Sequence, residues 1–415
     1  MTSAVLVSAG LAALSWLVLR TLRGRRTGHT RARRVRRPEP LVSTEPDEIS
    51  VMVYNILADH YCTHKRYPYV RPEWLQWPHR WRALQEQLAS FGSDLICLQE
   101  VEPARWEEML ASPVLAEYSG IIQDRRGADA LISNAILFRP SKLGLVWQES
   151  RSRALLAAFV FWDGLGQQQL LYVANLHLEG SPYRPNDRIS QTRSALQRLE
   201  AHMRAHGVAP GDAAVLVAGD LNSGRHETVC QFLHRGRLEG GTTEPHLPRV
   251  EVTKVSIAHP FPLHEVYSSG GAELPFTRKV PSLASTLDFI WASCQLEVRS
   301  LYWPVECRHE GLLQHQALPN QHYPSDHLPI GAVLRLKHFY VPPYGDVHPP
   351  PAPPEGAPPS VEQDCSTGTE ADAAELGVPE PPPHGSATLQ VDGAEVASDR
   401  SGPQVLQADG VAPLG

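Results

Sequence analysis

A chain of 415 residues, 42% hydrophobic and 20% charged, with a formal charge of −7, has material for one large domain or two ordinary ones. That balance lacks the basic surplus of a protein that binds nucleic acid by charge alone. The six cysteines (Cys62, Cys97, Cys230, Cys294, Cys307, Cys365) form no CxxC pair, which argues against a disulfide framework and a structural zinc site.

From the N-terminus, Ala4 to Leu19 is an uncharged run, and residues 20–37 then carry nine arginines and no acid. The run is short for a transmembrane helix, which takes about 20 residues. With no preceding positive region and no small-x-small cleavage site, it does not read as a cleaved secretory signal. The first reading is a signal anchor over 1–19 and a basic linker over 20–47, which would leave a membrane-anchored catalytic domain facing the cytosol. An Arg-rich transit peptide to the mitochondrion or another organelle, and a disordered basic leader or nuclear signal, are the alternatives.

Between Glu48 and about Leu336, strand-like and helix-like segments alternate. Residues 49–57, 94–101, 134–138, 155–162, 169–178, 214–221, 287–293 and 328–336 read as strands rich in Val, Ile, Leu and aromatics. Pro78–Ser90 and about Asp187–His206 carry apolar residues at helical spacing, with Pro185 or Asn186 as a start and Gly207 as a stop for the second. Several strands are continuous apolar runs, which implies burial on both faces with helices outside. Trp74, Trp77 and Trp81 are read as core packing of the first helix and the loop before it, in preference to a base-stacking platform. Beyond Phe339 the chain is Pro-rich, with twelve acids against the single base Arg400. Residues 341–415 are therefore expected to be a disordered tail able to bind a protein module.

Six polar motifs close apolar runs: Tyr54-Asn55-Ile56-Leu57, Leu98-Gln99-Glu100-Val101, Asn175-Leu176-His177-Leu178, Gly219-Asp220-Leu221-Asn222, Leu287-Asp288-Phe289-Ile290 and Ser325-Asp326-His327-Leu328. Singly each is weak. Glu100 alone fits a surface strand end, His177 a satisfied histidine, Asp220 with Asn222 a turn or helix cap. Asp288 is harder to dismiss, because a carboxylate inside an apolar strand needs a partner. Together they supply the oxygen ligands and imidazoles of metal-assisted phosphoester hydrolysis. Hard oxygen donors suit Mg²⁺ or Mn²⁺. The histidines, in no HxxxH spacing, read as donors to phosphate.

In that order the motifs resemble the signature of the endonuclease–exonuclease–phosphatase superfamily, over about residues 48–338. The likeness is to the branch of carbon-catabolite-repression-type deadenylases, nocturnin and the Angel proteins. ISVMVYNILADHYCTH, YPYVRPEWLQWPHR and DLICLQEVE are similar to the opening of that nuclease domain, and LPNQHYPSDHLPI to its close. The resemblance implies a catalytic domain over 48–340 with an α/β four-layer sandwich, two mixed β-sheets face to face and helices outside. It implies Glu100 as the principal Mg²⁺ ligand with Asn55 as its neighbour. Asp220 becomes the general base and a further metal ligand, and Asn222 orients water or touches substrate. His177 bonds the phosphoryl oxygens. His327, oriented by Asp288 or Asp326, stabilises the transition state. Pro182 matches a proline beside a substrate base, and Leu283 stands where the deadenylases place a phenylalanine that stacks on adenine.

Base–aromatic stacking is worth about 1–3 kcal/mol, so Leu283 weakens the expectation of strict poly(A) preference. Arg184, Arg188 and Arg193 fit either a phosphate path or a solvated helical face. The expected activity is Mg²⁺-dependent 3′→5′ hydrolysis of RNA to nucleoside 5′-monophosphates. The rivals are a phosphoesterase acting on a 2′-phosphate, a 2′,5′-oligoadenylate or a cyclic phosphate, and a membrane-tethered, non-catalytic adaptor. Oligomeric state is not legible.

Overall fold

The computed structural model of the chain describes residues 43, 45–125, 131–302 and 310–337. The chain divides into units 1–353 and 354–415, and every described residue belongs to the first. The expected leader and tail lie outside the described residues. Membrane anchoring is corrected: among the described residues no helix is long and apolar enough to cross a membrane, and residues 4–19, on which that expectation rested, are not among them. The expected membrane-anchored catalytic domain facing the cytosol is withdrawn with it.

Two six-stranded mixed sheets form the framework. In chain order the strands are β1 (Glu48–Asn55), β2 (Leu95–Val101), β3 (Ser119–Ile122), β4 (Ser133–Phe138), β5 (Gly144–Arg151), β6 (Ala154–Trp162), β7 (Gln168–His177), β8 (Ala214–Asp220), β9 (Leu263–Glu265), β10 (Arg278–Val280), β11 (Leu283–Ser285), β12 (Asp288–Ser293), β13 (Leu296–Tyr302) and β14 (Ile330–Leu336). One sheet runs β13-β14-β1-β2-β4-β3, the other β9-β12-β8-β7-β6-β5, and β10 and β11 form a separate hairpin. Each large sheet holds one parallel pair, β1 with β2 and β7 with β8. A parallel pair needs a crossover. Helix α1 (Trp77–Phe91) supplies the first and α3 (Pro185–Ala205) the second, while α2 (Pro103–Leu110) and α4 (Thr228–Arg235) follow β2 and β8.

The period-two alternation of β1 and β2 sorts their side chains into two cores. Ile49, Val51, Val53, Leu95 and Cys97 face the second sheet, where they meet Leu171, Val173, Leu216 and Ala218. Met52, Tyr54, Ile96 and Leu98 face outward onto Trp81, Leu84 and Leu88 of α1. The second sheet mirrors this: Tyr172, Ala174, Val215 and Val217 pack under Leu196, Leu199 and Met203 of α3. These strands read as unbroken apolar runs because both faces are covered. Each fully buried Leu, Ile or Val contributes roughly 1.5–3 kcal/mol of transfer free energy. Helix α1 ends at Gly92, whose left-handed φ of 54° lets its N–H reach the Leu88 carbonyl at 3.2 Å. Trp77 and Trp81 are buried in the outer core with rings stacked 5.6 Å apart.

All eight strands expected from the sequence are present, and they are the eight interior ones. Within the two six-stranded sheets, the four strands it did not disclose, β3, β5, β9 and β13, are the edges, and it disclosed none of the short two-stranded pairs. Edge strands meet solvent along one side, so β5 and β13 are only partly buried and lack a continuous apolar run.

Candidate active site

Parallel strands deliver their carboxyl ends to one side of a sheet, and here both parallel pairs end at the same rim. Asn55 ends β1, Glu100 lies one residue from the end of β2, His177 ends β7 and Asp220 ends β8. Asp220 is paired in register with His177 on one side and Asp288, the first residue of β12, on the other. Directly paired residues share a face, so one imidazole and two carboxylates stand in a row.

The rim's backbone is specialised. Between Leu98 and Val101, β2 carries one residue more than the two-residue step of β4 opposite, a bulge. Glu100 lies on it with φ 57°, a left-handed conformation that turns its side chain out of the sheet's alternation and toward the rim. Gly219 has φ 135°, and a Cβ there would stand 2.0 Å from the Leu176 carbonyl oxygen. Only glycine lets β8 approach β7 beside His177. Asn222, at φ 45°, donates its N–H to Asp220 Oδ1 at 2.9 Å and its Nδ2 to the Leu178 carbonyl at 3.1 Å.

Buried polar contacts hold the two sheets in register beneath the site. Gln99 Nε2 donates to Asn175 Oδ1 at 2.7 Å, and Asn175 Nδ2 donates to the carbonyls of Leu98 and Ala135 at 2.9 Å. Arg80, fully buried, donates to the carbonyls of Ile56 (2.7 Å), Leu57 and Pro324 (2.8 Å). It thus braces the segment after Asn55 against the one before His327. Ser325 Oγ adds a bond to the Asn55 carbonyl at 2.7 Å.

Glu100 and Asp220 converge. Asn55 Nδ2 donates to Glu100 Oε1 (3.2 Å) and Asp220 Oδ2 (3.0 Å), and His177 Nε2 stands 3.8 Å from the same two oxygens. The Ala58 N–H donates to Glu100 Oε2 at 2.9 Å. Asn55 Oδ1 accepts the Leu57 N–H at 3.0 Å. Asn55, expected beside Glu100 at the metal, thus sits between the two carboxylates, its amide N–H groups holding them together. Behind them, His327 Nδ1 is 2.8 Å from Asp288 Oδ2, and its Nε2 is 3.7 Å from Asp220 Oδ2. Burial alone would strip His327 of its second proton. Asp288, Asp220 and Asp326 outweigh burial and push its pKa up to about 10. Asp326 does not orient His327; its Oδ2 accepts from Arg278 Nε at 2.9 Å.

These groups line a cavity of about 840 Å³, with Glu100, His177, Asp220, Asn222, Asp326 and His327 in its wall. Tyr61, Tyr67, Tyr69, Arg66, Arg153 and Arg278 line it too. The sequence reading passed over these six and over Arg80. A tyrosine or arginine carries no directional signal until the fold aims it, although Arg80, Tyr67 and Tyr69 lie within the YPYVRPEWLQWPHR segment.

Three expected substrate contacts lie outside the cavity wall. Arg188 is corrected: it is 1% exposed, outside the cavity wall, donating Nη1 to the Ser181 carbonyl at 2.7 Å and pairing with Glu227 at 3.6 Å. Its work is to hold the loop after β7 against the loop after β8. Leu283, 55% exposed on β11, flanks the wall residues Val280, Pro281 and Ser282 without joining them. Pro182 is exposed, one residue beyond the wall residue Ser181, and its carbonyl meets His246 Nε2 at 3.2 Å.

Among the described residues, two groups could hold a metal by proximity of their ligand atoms, Asp220–Asp288–His327 and Glu227–Glu244–His246. In the first, Asp288 is fully buried and committed to His327. In the second, Glu244 accepts from Thr228 Oγ1 at 2.6 Å, and Glu227 accepts from Ser223 Oγ at 3.0 Å and pairs with Arg188. The open donors are the oxygens of Glu100 and Asp220. Both line the cavity, and each of their four oxygens accepts one N–H, from Asn55, Ala58 or Asn222, which leaves a lone pair on each for a hard cation.

The Endonuclease/Exonuclease/phosphatase family matches residues 52–327. Among curated proteins, the CCR4-Not complex 3′-5′-exoribonuclease subunit Ccr4 of Candida albicans is 25% identical over 331 residues, covering 70% of this chain and 41% of its own length. Its counterpart in Saccharomyces cerevisiae is 28% identical over 321 residues, covering 68% and 38%. The chain thus spans about two fifths of the length of these relatives. Among solved structures, ANGEL2, a 2′,3′-cyclic phosphatase held with adenosine-2′,3′-vanadate, superposes with a TM-score of 0.58 at 23% identity, covering 70% of this chain and 96% of that one. The human Nocturnin catalytic domain with bound sulfate gives 0.50 at 21% identity, covering 73% and 100%. These structural likenesses establish the shared fold.

Proposed function

The chain belongs to the endonuclease/exonuclease/phosphatase family and is a hydrolase of phosphoester bonds, and from that premise we propose that it shortens RNA from the 3′ end, releasing nucleoside 5′-monophosphates. Residues 48–340 form the catalytic domain on this reading. The observation that carries it is the convergence of Glu100, Asp220, His177 and His327 on one cavity from the ends of separate strands. The likeness to the Ccr4 exoribonucleases supports the choice of RNA.

Glu100 and Asp220 would hold a divalent cation, Mg²⁺ or Mn²⁺, which when bound offsets phosphoryl charge and lowers the pKa of water. Asn55 keeps the two carboxylates at one spacing through its shared N–H donors. Asp220 Oδ1 accepts the Asn222 N–H and Oδ2 the Asn55 Nδ2–H, and it is Oδ2, facing His177 and His327, that would take the proton of the attacking water. The water oxygen bonds to phosphorus, the bond from phosphorus to the 3′-oxygen of the preceding nucleotide breaks, and that oxygen is protonated from solvent. His177 Nε2 and the His327 imidazolium donate to the non-bridging oxygens, on which negative charge accumulates. Asp288 fixes the orientation and the charge of His327. Asn222, in the cavity wall, contacts the substrate beside the reacting phosphate.

A second reading, hydrolysis of a small nucleotide such as a 2′-phosphate, a 2′,5′-oligoadenylate or a cyclic phosphate, draws on one observation: Leu283 offers no aromatic face and stands outside the cavity wall. The test uses the purified full chain with 5′-labelled oligoadenylate and oligouridylate, and with an oligonucleotide ending in a 2′,3′-cyclic phosphate, in Mg²⁺ and in EDTA. A metal-dependent ladder shortening from the 3′ end is expected, and Asp220→Ala should abolish it. Removal of the terminal phosphate with an intact chain would transfer the assignment to the second reading. Inertness toward all three, with folding verified, would leave a binding protein, whose ligand affinity Glu100→Ala would spare.

A further inference from the structure

Three arginines of the cavity wall, Arg66, Arg153 and Arg278, are left unused by the scheme above. We propose, resting on the phosphodiesterase reading, that Arg278 binds a non-bridging oxygen of the scissile phosphate, beside His327.

The backbone places it there. Arg278 and His327 form an antiparallel bridge outside the main sheets, flanked by bonds from the Leu328 N–H to the Thr277 carbonyl (2.7 Å) and from the Lys279 N–H to the Asp326 carbonyl (3.0 Å). Residues directly opposed in an antiparallel pair project from the same face. The guanidinium therefore emerges beside the imidazole, and both line the cavity.

The side chain is aimed as well. Its Nε donates to Asp326 Oδ2 at 2.9 Å, and the Asp326 side chain is only 5% exposed. Tethering Nε fixes the plane of the fork, while neither Nη makes a hydrogen bond to protein among the described residues. Two parallel N–H groups on one planar cation match the spacing of phosphoryl oxygens, which an ammonium does not. The other arginines of the wall are differently engaged: Arg153 Nη2 is held by Glu179 at 3.1 Å, and Arg66 lies over the Tyr61 ring at 4.6 Å. The site thus contains two separate carboxylate-tethered donors, His327 held by Asp288 and Arg278 held by Asp326. A phosphodiester, singly charged in the ground state, gains charge on its non-bridging oxygens in the transition state, where a fixed guanidinium is better matched than in the ground state.

The competing account makes the Arg278–Asp326 pair a structural pin for the β10–β11 hairpin. Stereospecific sulfur substitution separates the two. The full chain and its Arg278→Ala and Arg278→Lys variants would be assayed on an oligonucleotide carrying an Rp or an Sp phosphorothioate at the scissile diester. On the oxygen substrate Arg278→Ala should lose about 10²-fold in kcat/KM, in line with the loss of one transition-state donor. The diagnostic result is a wild-type penalty for one diastereomer that shrinks in the variants while the other diastereomer behaves as before. A preference set elsewhere in the site is common to all three proteins and cancels. Equal losses on both diastereomers would make Arg278 a structural pin and overturn the phosphate contact. If Arg278→Ala does not fold, Arg278→Lys, which keeps the charge, carries the same comparison. A wild-type chain inert on every diester would instead remove the premise.

Discussion

The left-handed backbone of Glu100 yields a prediction in which stability and activity move independently. A non-glycine residue at φ 57° carries a strain of about 1–2 kcal/mol. Glu100→Ala and Glu100→Gly both lose the carboxylate's bonds to the Ala58 N–H and to Asn55, so that loss cancels between them. The alanine keeps the strain. The glycine relieves it but gives the unfolded chain extra entropy, costing roughly 0.5–1 kcal/mol. The difference leaves the glycine variant more stable by about 0.5–1 kcal/mol, the reverse of their order in a helix or strand. For a domain of this size that is a Tm about 1–4 °C above the alanine variant. Thermal unfolding followed by circular dichroism reads the order, and hydrolysis of labelled oligonucleotide reads turnover, which both variants should lose by about 10³-fold or more. An alanine variant at least as stable as the glycine one would show that the bulge relaxes without strain. A well-folded glycine variant that still turned over would remove Glu100 from the chemistry.

Asp288→Asn keeps the shape but takes the counter-charge from His327, replacing a charge-assisted donor at the phosphate with a weaker one. kcat should fall by about 10²–10³ with KM little changed, and a kcat within threefold of wild type would reject the dyad. Leu283→Phe places a stacking face beside the cavity wall and should raise the ratio of oligoadenylate to oligouridylate cleavage; an unchanged ratio would put the base elsewhere, against Tyr61 or Tyr69. His202, stacked on Trp147 at 4.1 Å, is pulled down to about 4 by burial and by His206. Its folded pKa is thus below the usual 6.5, so the stability it contributes is complete above pH 6.5 and is lost as the pH falls toward 4. His202→Gln should therefore show a smaller drop in Tm between pH 7.5 and 4.5 than wild type, and parallel curves would refute the assignment.

Much of this molecule is legible one segment at a time. A strand covered on both faces must be apolar at every position, so the eight interior strands stand out in the sequence. Helices α1 and α3 show themselves by an apolar stripe at helical spacing, and a carboxylate such as Asp288 amid Leu287, Phe289 and Ile290 betrays a buried partner. The edge strands stay silent because solvent permits them any composition. Residue type and position along the chain thus determined the fold class, the family and the identity of Glu100, His177, Asp220 and His327 as the groups that meet.

What those groups do to one another was decided only in three dimensions. Which acid serves His327 depended on strand register: Asp288 pairs with Asp220 and faces the imidazole, whereas Asp326, adjacent in sequence, turns to Arg278. Asn55 became the tie between two carboxylates, one of them 165 residues away. Arg188, on an apparently solvated helix, became a buried brace, and Arg278, unremarkable as a letter, became a cation in the wall. The reason is physical. Periodicity and propensity act over a few residues, while the direction of a polar side chain is set by whichever distant backbone or charge satisfies it once water is excluded.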